Sequence, residues 1–321
     1  DSVWDRFLYQ TLWAYGGNTK LDSTDPYATS PYTWYKESKV GNPNIHWEKA
    51  VKQNLGIDYS FINGIIAGTF EFFHEKRSDI MIAGSNRAVP QYFGAQAPYM
   101  NKGRTKTTGY ELELRLKYTF ANGLHAYANM NMTHAKNLVV EHDDPEYLPN
   151  YQKNVGFAIG QAKSYLDNGM ANTWDEVIAM TPHNTNDNQK LPGQFIITDF
   201  NGDGVIDTND NAPYGYTGIP QNTYNATIGF DYKGFSFFVQ FYGVTDVSRY
   251  VAFNSLPKPS IHTIFKEGDV WSPETPNGIP ALRVNSTPSY YEGTRFLYDG
   301  SFCRLKNMEI AYTWNGGWIK K

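Results

Sequence analysis

Residues 199–210 concentrate the side chains best suited to hold a metal ion: Asp-Phe-Asn-Gly-Asp-Gly-Val-Ile-Asp-Thr-Asn-Asp. Oxygen donors fall at loop positions 1, 3, 5, 9 and 12, which are Asp199, Asn201, Asp203, Asp207 and Asp210. Gly204 occupies position 6, where the chain must turn sharply, and Val205 at position 7 offers its backbone carbonyl. A hard cation needs roughly six to eight oxygens at about 2.3–2.6 Å, and this spacing brings them round one point. The expected ion is calcium. Asp210 stands where such loops usually carry Glu, so the shorter carboxylate would reach a cation through a single oxygen. No strong helical pattern flanks the stretch, and Pro192 and Pro213 bracket it, so the expected role is to pin a loop rather than to catalyse.

Other chemistries find little support. The sequence has no His-Glu-x-x-His, no Gly-x-Ser-x-Gly, no phosphate loop and no dinucleotide fingerprint. The seven histidines lack metal-ligand spacing, and the expectation is that the chain is not an enzyme. Asp143-Asp144 reads as a solvated pair, and Glu111 with Glu113 reads as the polar face of a strand. A net charge of −4 gives no basic footprint for nucleic acid. Cys303 is the single cysteine and has no intramolecular partner.

The elements that must position these residues read as strands. Leu55, Ile57, Tyr59 and Phe61 alternate with polar residues, as do Tyr110, Leu112, Leu114, Leu116 and Tyr118. The same period of two runs through Leu124, Ala126, Ala128, Met130 and Met132, and through Tyr224, Ala226, Ile228, Phe230 and Tyr232. Eight strands are expected, at 7–16, 46–61, 64–77, 105–120, 123–137, 222–232, 235–249 and 300–314. Asn63-Gly64, Asn122-Gly123, Lys233-Gly234 and Asn315-Gly316 mark tight turns. Long connections separate the hairpins, so short turns lie on one side and long loops on the other, as in outer-membrane barrels. That parity requires Val155–Ile159 to belong to a long loop, 138–221, rather than to cross the sheet. A second long loop is expected over 250–299.

Aromatic residues make up 16% of the chain, yet mean hydropathy is low and no run of apolar residues is long enough for a transmembrane helix. That combination suits a barrel whose lipid-facing and lumen-facing residues alternate. It equally suits a soluble, calcium-stabilised carbohydrate-binding or adhesion module. Tyr59 and Phe61, Tyr118 and Phe120, Tyr232 and Phe235, and Tyr312 and Trp314 flank the short turns, where a barrel's interfacial girdle belongs. The sequence begins at Asp1 with no start methionine or signal peptide and reads as a segment of something longer.

Several short stretches, in order, carry a resemblance. They are Trp13-Ala14-Tyr15-Gly16-Gly17-Asn18, Asn42-Pro43-Asn44-Ile45-His46-Trp47-Glu48, Leu191-Pro192-Gly193 ahead of Asp199–Asp210, Tyr232-Lys233-Gly234-Phe235-Ser236, and Gly300-Ser301-Phe302-Cys303-Arg304-Leu305-Lys306-Asn307. Together they resemble the C-terminal barrel portion of the SusC/RagA-type TonB-dependent transporters of Bacteroidetes. The resemblance implies an all-β fold, a segment of a large antiparallel transmembrane β-barrel of 22 strands with long extracellular loops. It implies residence in a Gram-negative outer membrane, contact with its lipid, energisation by TonB through a segment outside this sequence, and a SusD-like lipoprotein partner. The implied cargo is an oligosaccharide, or a peptide in some members. The family's plug, its early strands and its closing strands lie outside these 321 residues, and Cys303 stands where the family usually has an aliphatic residue.

Cargo contact is expected from loop aromatics that stack on sugar rings: Trp34, Trp174, Trp271, Tyr290 and Tyr291. Strand parity places Arg304 and Lys306 on the lipid side with Met308, above the hydrocarbon, where their stems can snorkel to headgroups.

Overall fold

The computed structural model describes residues 7–19, 32–90, 92, 94, 96–250, 271–276 and 293–314. Strands β1 (Leu12–Thr19) and β2 (Tyr32–Lys39) pair with each other. Four long strands follow: β3 (Lys49–Phe61), β4 (Ile66–Ile82), β5 (Met100–Thr119) and β6 (His125–Glu141). The next stretch holds β7 (Lys163–Ser164), β8 (Asp167–Ala171), the short helix α1 (Trp174–Ala179), β9 (Gln194–Ile197) and β10 (Ala212–Pro213). Then come β11 (Asn222–Tyr232), β12 (Phe235–Thr245), β13 (Ser248–Tyr250), β14 (Leu297–Asp299) and β15 (Phe302–Tyr312). Seven of these form one sheet in the order β15-β12-β11-β6-β5-β4-β3, so β3 and β15 are its edges among the described residues.

The short turns form where the sequence places them. Lys233 and Gly234 both take positive φ, at 48° and 90°, as a two-residue hairpin turn between right-twisted strands requires. Asn63 (53°) and Gly64 (82°) turn β3 into β4, and Gly123 (85°) turns β5 into β6. Asn315-Gly316 lies outside the described residues. Val155–Ile159 makes no strand; Val139 of β6 donates to the carbonyl of Phe157 and accepts from Gly156, so this stretch folds back on the strand it follows.

Two expectations are corrected. The strand expected at 7–16 is not a sheet crossing: it becomes β1, half of a separate pair with β2, whose residues had no strand expectation. Secondly, the simple parity of the last strand fails. Gln240 faces Asn307 but Phe241 faces Leu305, leaving Lys306 as an extra residue in a bulge. Beyond it the faces exchange, and Arg304 lies opposite Tyr242 rather than in line with Met308. Arg304 and Lys306 therefore sit on the polar side.

The chain divides into two compact units, Asp1–Asn54 with Phe73–Thr108 and Asn137–Phe157, and Leu55–Phe72 with Gly109–Lys136 and Ala158–Lys321. In the second unit the apolar side chains of the sheet are not covered: Met130, Ile228, Phe230, Phe241, Leu305, Met308 and Ile310 are all exposed, Ile310 to 71%. Among the described residues, compact apolar clusters lie in the 158–221 stretch, as Tyr165–Ile197–Ile206 and Ala171–Val177–Met180. In the first unit, Asp143 binds Lys102 at 2.5 Å and Arg87 at 3.2 Å and accepts from the Ala88 amide, tying residues 87–88 to the end of β6.

Candidate functional site

Two regions of the second unit carry chemistry. The first is the 199–210 loop. Asp199 accepts from the amides of Gly202 (2.7 Å) and Gly204 (2.8 Å) through its two oxygens. Asn201 Oδ1 accepts from the Asp203 amide and Asp203 Oδ1 from the Val205 amide. Asp207 caps the following turn by accepting from the Asn209 amide at 2.7 Å. Asp210 is fully buried; one oxygen accepts from the Phe200 amide and the other from the Asp207 amide, both at 2.8 Å. Its short side chain closes the loop from within, a job that needs short reach, and this explains Asp at position 12. Gly202 and Gly204 take φ of 74° and 86°, which side-chain-bearing residues rarely adopt.

The all-oxygen donor set suits a hard cation. The described geometry, however, is held by amide-to-carboxylate bonds, and among the described residues no group of three or more His, Cys, Asp or Glu side chains has metal-holding geometry. Buried Ile206 anchors the loop: its amide donates to Pro182 and its carbonyl accepts from Asn184. Beside it lies His183, whose imidazole is brought down to about 4 by burial and by Lys190, against the opposing pull of Asp187. Helix α1, unexpected from sequence, begins at a capping box of Thr173 and Glu176.

The second region is the polar face of the sheet. Register places Asn131, Asn225, Tyr242 and Arg304 in one row, and Asn129, Thr227, Gln240 and Asn307 in the next. Gln240 donates to Asn225 at 3.0 Å and accepts from Asn307 at 2.8 Å, making a continuous amide ladder. The Arg304 guanidinium lies 5.6 Å from the Tyr242 ring centre and 5.5 Å from that of Phe302, and Lys306 Nζ lies 5.6 Å from Tyr242. At the other side of this face Glu71, Glu111, Glu113 and Thr69 line an open depression of about 410 Å³ together with Asn131 and Thr133.

Of the expected cargo aromatics, Trp34 sits on β2 in the first unit with its ring against Gly16. Trp174 begins α1 and is exposed, and Trp271 Nε1 donates to Asn172 at 2.8 Å, so this indole braces a loop corner. Tyr290 and Tyr291 lie outside the described residues. Sequence reading missed the amide ladder and the Tyr242–Arg304 pairing. Strand alternation signals the first; nothing in the sequence signals the bulge behind the second.

No protein-family model matches the chain. Among curated proteins it is similar to TonB-dependent receptor P26 of Formosa agariphila, 22% identical over 285 residues, covering 85% of this chain and 28% of the relative. It is 23% identical to the TonB-dependent receptor SusC of Bacteroides thetaiotaomicron over 326 residues, covering 99% of this chain and 31% of SusC. The chain is homologous to part of a SusC/RagA-type TonB-dependent transporter. It spans about 30% of the length of the curated relatives it matches. The fold agrees: it superposes on the RagAB peptide transporter with a TM-score of 0.64 at 17% identity, over 98% of this chain and 33% of that one. The RagAB peptide importer in its open-open state gives 0.63 at 18% identity. The fold is thus all-β, part of a large antiparallel barrel wall of this SusC/RagA type. No helix among the described residues is long and apolar enough to cross a membrane, which says nothing of strands.

Proposed function

We propose that this chain forms part of the wall of an outer-membrane barrel that imports a nutrient with energy from TonB, alongside a SusD-like lipoprotein. The observation that carries this reading is the two-sidedness of the sheet in the second unit. One face exposes Ile228, Phe241, Met308 and Ile310, and the other carries hydrogen-bonding amides. A water-soluble layered protein buries its apolar sheet face against another layer. Lipid is the solvent that accepts it uncovered. The SusC and RagAB likenesses support the same reading; the name of the SusC relative carries TonB dependence, and the SusD-like partner follows from the family resemblance.

On this reading the 138–221 and 250–299 connections lie outside the cell. The 199–210 loop stiffens the first of them, with calcium as the ion that Asp199, Asn201, Asp203, Asp207 and the Val205 carbonyl would hold. Cargo is an oligosaccharide or a peptide that passes along the amide face, with Trp34, Trp174 and Trp271 as outer contacts. The test is fractionation of cells expressing the full-length protein. It is expected in outer membranes, released only by detergent. Release into aqueous buffer would make it a soluble module and overturn the reading.

A further inference from the structure

Around the row of Arg304 and Tyr242 the polar face of the second unit carries opposite charge at its two sides, while Arg115 and Lys117 of β5 lie further toward the short turn. At the β15 side Arg304 and Lys306 rest on Tyr242, and among the described residues neither has a carboxylate in ion-pair range. Glu309 shares their face but lies opposite Phe238, two rows away from Arg304. The bulge at Lys306 is what brings both cations to this face, since an unbroken strand would alternate them with Asn307 to the lipid side. At the β5 side Glu111, without an ion pair among the described residues, joins Glu71 and Glu113 round the depression that Asn131 and Thr133 complete. Glu113 is held by Arg115 at 3.3 Å, so Glu111 is the freer charge.

Between the two sides, β6 and β11 place uncharged residues in these rows, Asn131 and Asn225 in one and Asn129 and Thr227 in the next, while Asp231 faces His125 further toward the short turn. From β5 to β15 is four strand spacings, roughly 19 Å at about 4.8 Å each. That is the span of about six residues of extended chain at about 3.3 Å apiece. A molecule matching the face carries a cation at one end, an anion at the other and hydrogen-bonding groups between. An acidic glycan has negative charge along its length and would be repelled at Glu111.

We infer that this face reads the two charged ends of a short unblocked peptide, its amine toward Glu111 and its carboxylate on Arg304 and Lys306 above Tyr242. Asn131, Asn225, Gln240 and Asn307 bond its backbone. The inference rests on the proposal that the polar face lines the import path.

The test uses the full-length protein in detergent and four forms of a glycine–serine hexapeptide: free, N-acetylated, C-amidated and doubly blocked. Binding of the free form is expected to be at least tenfold tighter than that of the doubly blocked form. R304Q/K306Q should erase the preference for a free carboxylate and keep that for a free amine, and E111Q should do the reverse. A three-residue free peptide should lose the combined gain because it cannot span both ends. Equal binding of all four forms, no binding of any, or gains that survive the substitutions overturns the inference. So does tight hexagalacturonate binding that depends on Arg304 and Lys306 while the free peptide fails to bind. Fractionation is scored separately: a protein resident in the outer membrane that ignores end charge sinks this inference alone.

Discussion

The ring of Tyr59 lies across Gly68 on the neighbouring strand, and its hydroxyl donates to the carbonyl of Glu113 one strand further at 3.0 Å. One side chain thus links β3, β4 and β5. A Cβ at Gly68 would collide with both the Glu113 carbonyl oxygen and the tyrosine ring. Gly68→Ala should therefore cost about 2–3 kcal/mol by forcing backbone apart. Tyr59→Phe, which keeps the ring and loses one hydrogen bond, should cost only about 1 kcal/mol. Urea unfolding of the detergent-folded protein checks the ranking; equal costs would show that the ring, not the backbone approach, dominates.

Asp143 makes a second prediction, in the first unit. Burial alone would raise its pKa, but Lys102, Arg87 and the Ala88 amide together hold it below the ordinary carboxylate value. Asp143→Asn leaves Arg87, itself largely buried, facing an amide in place of a charge. A loss of about 3 kcal/mol is expected. Protease cleavage near residues 87–90 should become faster, while cleavage in the 199–210 loop should not change.

How much of this was legible in the residues depends on the period involved. Alternation at Leu55–Phe61, Tyr110–Tyr118 and Tyr224–Tyr232 predicted β3, β5 and β11, because one apolar face and one polar face is a pattern of side chains alone. The Lys233-Gly234 turn was legible because few residues tolerate its φ angles. The strand ends were not: β4 runs on to Ile82 and β5 starts at Met100, since polar residues at strand ends look like loop. The bulge at Lys306 depends on how β15 registers against β12, a relation between distant segments that no single strand's pattern contains. The 199–210 loop was legible as a closed turn from its glycines, whereas the inward role of Asp210 depends on amides at Phe200 and Asp207.

The calcium proposal predicts a chelation effect confined to one loop. If a cation bridges Asp199, Asn201, Asp203 and Asp207, EDTA should raise proteolysis between residues 199 and 210 several-fold, and added calcium should reverse it. Asp203→Asn should weaken that response, whereas Asp210→Asn should loosen the loop even with calcium present, since Asp210 holds two backbone amides in the buried interior. A loop indifferent to both reagents would leave the amide-to-carboxylate bonds as its sole support.

His183 gives the 158–221 stretch a pH response whose sign follows from burial. Its pKa falls from 6.5 to about 4 in the folded state. The unfolded chain therefore binds more protons between those values, and the stabilisation is complete above about 6.5 and is lost as the pH falls toward 4. The shift corresponds to about 3 kcal/mol at most. Hydrogen exchange of the Ile206 amide, which is bonded to Pro182, should accelerate over that window, and His183→Gln should flatten the dependence.

The greasy face itself can be tested at two adjacent residues of β15. Met308 is 61% exposed and shares a face with Val239 and Ile228, while Asn307 points the other way and donates to Gln240. Met308 also lies near the middle of its strand. In a bilayer a lysine there must hold its charge in hydrocarbon, so Met308→Lys should cost about 2–4 kcal/mol in lipid vesicles. Asn307→Lys loses one amide bond but keeps its charge in a polar space, so about 1 kcal/mol is expected. In water-soluble surroundings the order would reverse, because an exposed methionine can become lysine at almost no cost while the amide bond is still lost. The sign of the difference between these two neighbours, read from folding equilibria in vesicles, therefore decides which solvent meets the apolar face.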